Sequence, residues 1–170
     1  PHSLLEPQTD NFGMGTLSKI PLDSLTVIDP LGWSIPVIEA KLTLNGRTLS
    51  VLNYHPLPPG GAEYVKLRNE QLAYVATYAQ AQPDLCIIAG DFNVTPWSPY
   101  YRSMVEDSGL YNTRKGFGLL LTWPVPPMIP IDHVLASPVI HTLGMEVGPD
   151  NGSDHRPLLS RLYVPPKVKD

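Results

Sequence analysis

The chain has few charged residues and no concentration of positive charge. Charged residues make up only 16% of its 170 residues, and the formal net charge is −4. Proteins that bind the nucleic-acid backbone usually carry clustered lysines and arginines, and the sequence shows no such cluster. The composition therefore disfavours a nucleic-acid partner without excluding one. The low positive charge is compatible with a site that binds phosphate through a metal, because the cation supplies positive charge locally.

Cysteine and long apolar runs are also scarce. The single cysteine, Cys86, lies in the apolar run 85–89, where a small buried strand residue is expected, and it has no partner for a disulfide within the chain. No apolar stretch approaches the roughly 20 residues of a membrane-spanning helix. Hydrophobic residues still make up 42% of the chain, which suits a globular protein. We expect one domain over residues 1–170.

The hydrophobic pattern predicts a mixed α/β fold. Asn45-Gly46 separates two segments of strand character, 34–44 and 47–55, and predicts a β-hairpin. Apolar residues at helical spacing predict a helix over 62–80, and the apolar run after it predicts a central strand over 85–89. Further strands are expected at 16–20, 25–28, 131–136, 139–147 and 157–164, with a short helix near 98–106. This order indicates a sandwich with sheets inside and helices outside.

The sharpest chemical signal is Gly90-Asp91-Phe92-Asn93, directly after the predicted central strand. Ligands of α/β sheets gather beyond the carboxyl ends of strands. On an extended segment, side chains two residues apart point to the same side. Asp91 and Asn93 are therefore candidates to accept a proton from a water molecule and to orient it. The alternative is a plain Gly-Asp turn closed by a bond from side chain to backbone.

A second acidic and histidine segment, residues 153–157, precedes the last predicted strand. Asp154 offers oxygen ligands of the kind that Mg²⁺ prefers. His155 is a candidate to bind a phosphate oxygen or to exchange a proton near neutral pH. The alternative is a polar loop that caps the strand.

Two further histidine segments lie at predicted strand ends. Asp132, in Ile131-Asp132-His133, is placed to hold an imidazole in one tautomer. For its neighbour His133, a structural role or a place at the rim of the substrate site is favoured over catalysis. His55 closes the second arm of the hairpin at the edge expected for Asp91, although a lone histidine there is more often structural.

The remaining histidines, His2 and His141, have no acidic neighbours and are predicted to be ordinary surface or packing residues. The four segments described above are more informative together than any one of them is alone. Four predicted strand ends, in order, each offer Asp, Asn or His, and chance seldom gives that combination. The convergence predicts one shared site.

The chain resembles the endonuclease/exonuclease/phosphatase superfamily, which includes pancreatic deoxyribonuclease and neutral sphingomyelinases. Residues 11–21 are similar to the family's G-x-x-x-L-S-[KR]-x-P strand. Four motifs agree in order and spacing: Asn53-Tyr54-His55, Gly90-Asp91-Phe92-Asn93, Ile131-Asp132-His133 and Ser153-Asp154-His155. The resemblance covers residues 11–162. It implies a deoxyribonuclease I-like, four-layer α/β sandwich with mixed, mainly antiparallel sheets, and hydrolysis of a phosphate ester that depends on Mg²⁺ or Mn²⁺.

The resemblance also implies roles for the acidic residues and the amide. Asp154 would be a metal ligand, and Asp91 would share the metal while it orients or deprotonates the attacking water. Asn93 would contact phosphate.

The resemblance implies roles for the histidines as well. His155 would bind the scissile phosphate, with Asp132 as the residue that orients it. His55 would stabilise the transition state or act as general acid. The alternative for the whole chain is a non-catalytic module that retains the fold.

The chain departs from the family pattern at its N-terminus. The family begins with a strand ending in Asn and then a Gln-Glu motif whose Glu is a principal metal ligand, and neither motif is present. Glu6 lies only seven residues before Gly13, which leaves no room for the intervening helix. We therefore expect an N-terminally incomplete domain from a longer protein. Alone it should be a weak or inactive catalyst, because fewer acidic ligands hold Mg²⁺ weakly.

The proline-rich segment 123–130 resembles a branch of the family found in bacterial proteins with N-terminal membrane helices. This implies an extracytoplasmic domain of a membrane-anchored parent, although the chain itself shows no membrane segment. The expected partner is a phosphate-ester substrate. DNA, a lipid and a soluble phosphoester all remain open, because specificity in such folds lies in the surrounding loops.

Overall fold

The computed structural model describes residues 2–167. Within that range, strands and helices follow one another along the chain in the order β1 His2–Glu6, β2 Met14–Ser18, β3 Ser24–Ile28, β4 Val37–Leu44, β5 Arg47–Asn53, α1 Ala62–Gln80, β6 Leu85–Asp91, α2 Pro99–Ser108, β7 Tyr111–Asn112, β8 Asp132–Ala136, β9 His141–Val147 and β10 Leu158–Tyr163.

The central sheet has the strand order β3-β4-β5-β6-β8-β7. The hairpin β4–β5 turns at Asn45-Gly46, where both residues have positive φ, as this type of turn requires. Helix α1 connects β5 to its parallel neighbour β6, so both strands end at the same edge of the sheet. Strand β8 runs antiparallel to β6 and begins at that edge, with Asp132 opposite Asp91.

The two faces of this sheet are covered differently. Helices α1 and α2 pack on one face over a core that includes Leu52, Leu72 and Ile88. On the other face, Leu42 and Leu85 contact the chain around β10, and the β5 residue Asn53 donates a hydrogen bond to the Gly15 carbonyl of β2. Two short antiparallel ribbons, β1–β2 and β9–β10, therefore form the second layer of strands. The fold is a mixed, mainly antiparallel α/β sandwich.

Most of the predicted elements are confirmed, including a helix over 62–80. The first arm of the hairpin begins at Val37 rather than at 34, because Pro36 and the preceding turn residues do not pair. Strands β1 and β7 have no counterpart among the predicted elements: β7 is only two residues long, and β1 pairs with β2 alone. Within residues 2–167, no helix is both long and apolar enough to cross a membrane.

Candidate active site

The loop that carries His55 is tied to both the sheet and helix α1. Directly after β5, the Tyr54 backbone N–H donates to the Ala89 carbonyl at 2.9 Å. The Tyr54 hydroxyl donates to the Gln71 carbonyl on α1 at 2.5 Å, and the Gln71 side-chain oxygen accepts from the Leu57 N–H at 2.9 Å. These bonds fix the backbone on both sides of His55.

Gly90 allows the two strand ends to approach each other. It has φ 148°, and a Cβ built on it would lie 2.0 Å from the Tyr54 carbonyl oxygen. Any larger residue would push this backbone apart. The close approach brings the His55 Nε2 atom to 3.7 Å from the Asp91 Oδ2 atom.

Asp91 and Asn93 form a turn, which corrects the expectation of an extended segment. Strand β6 ends at Asp91, and Asn93 has φ 50°, in the left-handed region that Asn tolerates. The Asn93 N–H donates to Asp91 Oδ1 at 2.7 Å, and the Asn93 side chain donates to the Pro56 carbonyl at 2.9 Å. The turn that was the plain alternative is therefore present, and it builds the site by joining the loops of Asp91 and His55.

Arg68 on helix α1 supports this turn through a hydrogen bond. It lies on the buried stripe of α1 and is only 7% exposed, and its guanidinium donates to the Asn93 carbonyl at 2.8 Å. The same guanidinium donates to the side chain of Asn69. A buried cation of this kind is tolerated because its N–H groups are bonded. Helical spacing alone gave no reason to place an arginine on that stripe.

The second group of site residues comes from β8 and the loop before β10. The His155 Nδ1–H group donates to Asp132 Oδ2 at 2.8 Å, and the opposite ring nitrogen lies 3.6 Å from Asp91 Oδ2. This bond leaves Nε2 facing the Asp91 carboxylate.

Thr122, which the sequence patterns did not indicate, connects the two segments that supply this pair. Its side chain is fully buried. The Thr122 hydroxyl accepts from the Asp132 N–H at 3.3 Å, and its carbonyl accepts from the Arg156 N–H at 2.8 Å. Arg114 reinforces the arrangement, since its guanidinium donates to the Asp132 carbonyl at 2.8 Å and to the carbonyls of residues 119 and 120.

Asp154 differs from its neighbours because it is exposed. Its carboxylate lies 3.4 Å from the Ser153 hydroxyl, and within residues 2–167 it has no ion-pair partner within 4.0 Å. Its side chain nevertheless lines the same cavity as Asp91 and Asp132.

The other histidines are separated from this group. His133 points to the opposite face of β8, where it is 1% exposed, packs against Phe92 and Tyr101, and donates from Nε2 to the Val94 carbonyl at 2.8 Å. Burial lowers the pKa of His133 to about 3. It is therefore a neutral core residue, in line with the structural role favoured for it by the sequence. His141 stacks on Tyr163, and His2 is exposed on β1.

One cavity of about 630 Å³ brings the site residues together. Its lining includes all six of the predicted residues: His55, Asp91, Asn93, Asp132, Asp154 and His155. It also includes six further residues: Asp10, Asn11, Phe12, Pro58, Tyr64 and Trp123. Of these six, Asn11 and Phe12 lie in the segment that matched the family's strand motif, whereas Tyr64 gave no signal in the sequence.

The electrostatics of the cavity separate the three central groups. Burial raises the pKa of Asp91 to about 6, assisted by the charges of Asp132 and Asp154 and opposed by the Asn93 N–H and by His155. Burial lowers the pKa of His55, and the charge on His155 lowers it further. Burial also acts to lower the pKa of His155, but its bond to Asp132 and the surrounding carboxylates outweigh that effect and raise it. Near neutral pH, His55 is thus the neutral imidazole and His155 the one that tends to carry charge.

The oxygen donors of the cavity are of the kind that bind a divalent metal, which the resemblance implies. Within residues 2–167, no three His, Cys, Asp or Glu side chains are grouped to hold an ion by themselves. Mg²⁺ at phosphoryl-transfer sites is usually held by one or two carboxylates, with water and substrate phosphate completing its shell. Asp154 and Asp91 suit that mode, and they do not form a closed protein cage.

Solved structures show the same fold. An endonuclease/exonuclease/phosphatase from Beutenbergia cavernae superposes with a TM-score of 0.72 at 22% identity, over 88% of this chain and 47% of that one. D. rerio TDP2 complexed with a single-strand DNA product gives 0.76 at 18% identity, over 96% and 77% of the two chains. Sphingomyelinase C from Streptomyces griseocarneus gives 0.62 at 19% identity, over 88% and 67%. At these identities the likeness shows the fold alone.

The chain therefore spans about half the length of the Beutenbergia protein. No curated protein sequence matches it significantly. The model of the Endonuclease/Exonuclease/phosphatase family matches residues 2–155, which include every residue of the cavity. With the sandwich fold, this match confirms the resemblance seen in the sequence: the chain belongs to the Endonuclease/Exonuclease/phosphatase family.

Proposed function

We propose that this chain carries the catalytic residues of a divalent-metal-dependent phosphoester hydrolase, which acts by in-line attack of an activated water on phosphorus. One observation carries the proposal. The Asp91 carboxylate faces two imidazole nitrogens, 3.6 and 3.7 Å away, inside a single cavity, and one of these imidazoles, His155, is held by Asp132. Carboxylates and imidazoles with perturbed pKa values, gathered in one cleft, are typical of catalytic sites.

Asp91 is the proposed base. Before metal binds, its pKa is about 6, so the carboxylate is ionised at neutral pH and close enough to that pH to accept a proton from water. A bound cation would lower this pKa. The bond from the Asn93 N–H occupies Oδ1 and leaves Oδ2 facing the cavity and the two histidines. Asn93 thereby orients the base through its backbone, while its own side chain lines the cavity where it can contact phosphate.

His155 and His55 have different proposed roles. His155, with its raised pKa and its partner Asp132, supplies a positive charge and an N–H group to a phosphoryl oxygen. His55 has a lowered pKa and stays neutral, so its N–H group is placed to donate a hydrogen bond in the transition state. To act as general acid it would first have to take up a proton, because only the imidazolium form can protonate the leaving group. Catalysis of this kind is mostly positioning and electrostatic stabilisation.

Mg²⁺ or Mn²⁺ is the proposed cofactor, held by Asp154 and Asp91, and it would neutralise charge on the phosphoryl oxygens. Asp154 is suited to this task because it is exposed to the cavity and, within residues 2–167, has no cationic partner to displace. Such a site would be weak with these two carboxylates alone. We expect further ligands to come from water and from the substrate.

The alternative is a module that retains the fold and no longer catalyses. A half-buried carboxylate between two imidazoles is not expected in a domain that no longer catalyses, because a buried ionised group lowers the stability of the fold. All six predicted residues line the cavity. Calorimetric titration with Mn²⁺ separates the two cases, since a non-catalytic module should release no heat of binding.

The proposal is tested with a panel of phosphoesters, assayed with Mg²⁺, with Mn²⁺ and with EDTA, using the full-length protein. Asp91→Asn and His155→Gln should each lower kcat/KM by about 100- to 10,000-fold, the range for loss of a general acid or base. His141→Gln, a change at an exposed histidine outside the cavity, is the matched control and should behave as wild type. Near-native hydrolysis by both site variants would refute the assignment.

A further inference from the structure

The walls of the cavity carry aromatic rings that the proposed chemistry does not use. Phe12 lies against His55, with ring centroids 5.5 Å apart and the planes tilted by 44°. Trp123 meets His155 edge to face, with centroids 5.0 Å apart. Tyr64, on the first turn of α1, lines the same cavity and is 45% exposed. A ring therefore stands beside each of the two imidazoles, with a third on the adjoining wall.

Positive side chains are missing from these walls. Of the twelve described residues that line the cavity, none is Lys or Arg, and four are aspartates. The buried guanidinium of Arg68, beneath the Asn93 turn, is occupied by the Asn93 carbonyl and the Asn69 side chain. A substrate phosphate at His155 can be neutralised by that imidazole and by the metal. Elsewhere in the cavity, the described lining offers a second phosphate no Lys or Arg, and a carboxylate such as Asp10 would repel it.

We propose that this site takes esters with a single phosphate attached to a flat ring, that the ring is held by Phe12 and Trp123, and that substrates with several phosphates are excluded. The inference rests on the proposed function, because it places the phosphate at His155. A volume of about 630 Å³ accommodates a phosphate together with one ring system. Aromatic side chains hold planar groups by stacking, without requiring any particular hydrogen-bond pattern.

Non-hydrolysable phosphonates test this inference apart from turnover. Binding of methylphosphonate, phenylphosphonate and 1,4-phenylenebis(phosphonate) to the full-length protein, at fixed Mn²⁺, is measured by calorimetry. We expect phenylphosphonate to bind roughly tenfold more tightly than methylphosphonate, the size of one stacking contact. The bisphosphonate should bind more weakly than phenylphosphonate, because the cavity offers its second anionic group no Lys or Arg and because the Asp10 carboxylate would repel that group.

Variants assign the preference to particular rings. Trp123→Leu and Phe12→Leu should each bring the ratio of phenylphosphonate to methylphosphonate affinity towards one. Trp97→Leu is the matched control, because Trp97 is 56% exposed and lies outside this cavity, and it should keep the wild-type ratio. His155→Gln should weaken both ligands alike, since it removes the group placed at the phosphate rather than at the ring.

The outcomes separate this inference from the proposed function. Equal affinity for the two monophosphonates, or tighter binding of the bisphosphonate, overturns the inference and leaves hydrolysis of the ester panel as evidence for the function. Ring preference without hydrolysis of any ester supports the binding site and overturns the proposed function. If neither phosphonate binds and no ester is hydrolysed, both fail.

Discussion

The two sides of the cavity are held in place by different means. The anchored side, residues 54–57 and 90–93, is bonded to the sheet backbone and to the α1 side chains Gln71 and Arg68. The tethered side, residues 150–156, carries Asp154 and His155 on an exposed loop whose own bonds are mostly local. Among residues 2–167, its hydrogen bonds to the rest of the site are the bond from His155 to Asp132 and the bond from the Arg156 N–H to the Thr122 carbonyl.

This difference separates two tasks of the site. The proposed base, Asp91, lies on the side fixed by folding, and preorganisation of that kind keeps its pKa raised in the absence of substrate. The proposed phosphate-binding imidazole, His155, lies on the side that depends on a few contacts, where loops open at little cost. Changes that weaken each side in turn should therefore have different consequences for activity and for stability.

Removing the charge that holds His155 should have the largest effect on activity. Asp132→Asn keeps the shape of the side chain and takes away the carboxylate that raises the pKa of His155. We expect kcat/KM to fall by about 100- to 10,000-fold, with little change in stability. NMR titration should show a lower pKa for His155. Asp150→Asn, in the loop that carries His155 but outside the cavity, is the control. An unchanged His155 pKa in the Asp132 variant would contradict the role of the pair.

Glycine substitutions test how tightly each side is packed. Gly90→Ala, on the anchored side, would place its Cβ 2.0 Å from the Tyr54 carbonyl oxygen, whereas at Gly152, on the tethered side, a Cβ would meet nothing within 4 Å. Both glycines have positive φ. We expect Gly90→Ala to lower the free energy of unfolding by about 2–4 kcal/mol. Gly152→Ala should cost only about 1 kcal/mol. Equal losses in chemical denaturation would show that the two sides are equally constrained.

The buried carboxylate on the anchored side should make stability depend on pH. The folded-state pKa of Asp91, about 6, lies above its ordinary value of 3.8. The folded protein therefore binds this proton more tightly than the unfolded chain does. The resulting stability is fully present below pH 3.8 and is lost as the pH rises through 6. In EDTA, Asp91→Asn should gain about 1–3 kcal/mol over wild type at pH 7.5 and little at pH 4.

The comparison between variant and wild type at each pH cancels the titrating groups that do not interact with Asp91. The change at His155, whose pKa Asp91 helps to raise, is followed separately by NMR titration. A gain that is the same at both pH values would mean that the Asp91 carboxylate is not destabilised by folding.

The sequence predicted the elements of this site better than the way they are joined. Local patterns were enough for the hairpin at Asn45-Gly46 and for the strand that delivers Asp91, because turn residues and apolar periodicity act over short distances. The turn at Asn93 had been kept only as an alternative to an extended segment, although the bond that closes it, to Asp91, is local. The bond from its side chain to the Pro56 carbonyl, 37 residues earlier, could not be foreseen. Arg68 was missed for the same reason, because its partner, the Asn93 carbonyl, is 25 residues away.

The same reasoning explains which cavity residues were found. Acidic and histidine motifs at predicted strand ends can be recognised in the sequence itself, and all six residues predicted from them line the cavity. Tyr64 reaches it only because α1 packs beside the His55 loop, and no local pattern encodes that packing. Strand β1 pairs only with β2, and without that partner its residues lack a strand signal. Long-range packing decides these positions, and a single sequence does not display it.

The smallest effect is expected from a change at Thr122, which bonds both to Asp132 and to the tethered side. Thr122→Val removes the hydroxyl that accepts from the Asp132 N–H at 3.3 Å, and it leaves the carbonyl bond to Arg156 in place. We expect a loss of about 0.5–1.5 kcal/mol in the free energy of unfolding, the usual worth of one hydrogen bond. A fall in kcat/KM of roughly threefold to tenfold should accompany it, because that energy also positions Asp132 against His155. Thr122→Ser, which keeps the hydroxyl, should restore most of the activity. If valine and serine behave alike, the side-chain bond does not position Asp132, and the carbonyl bond alone connects the two segments.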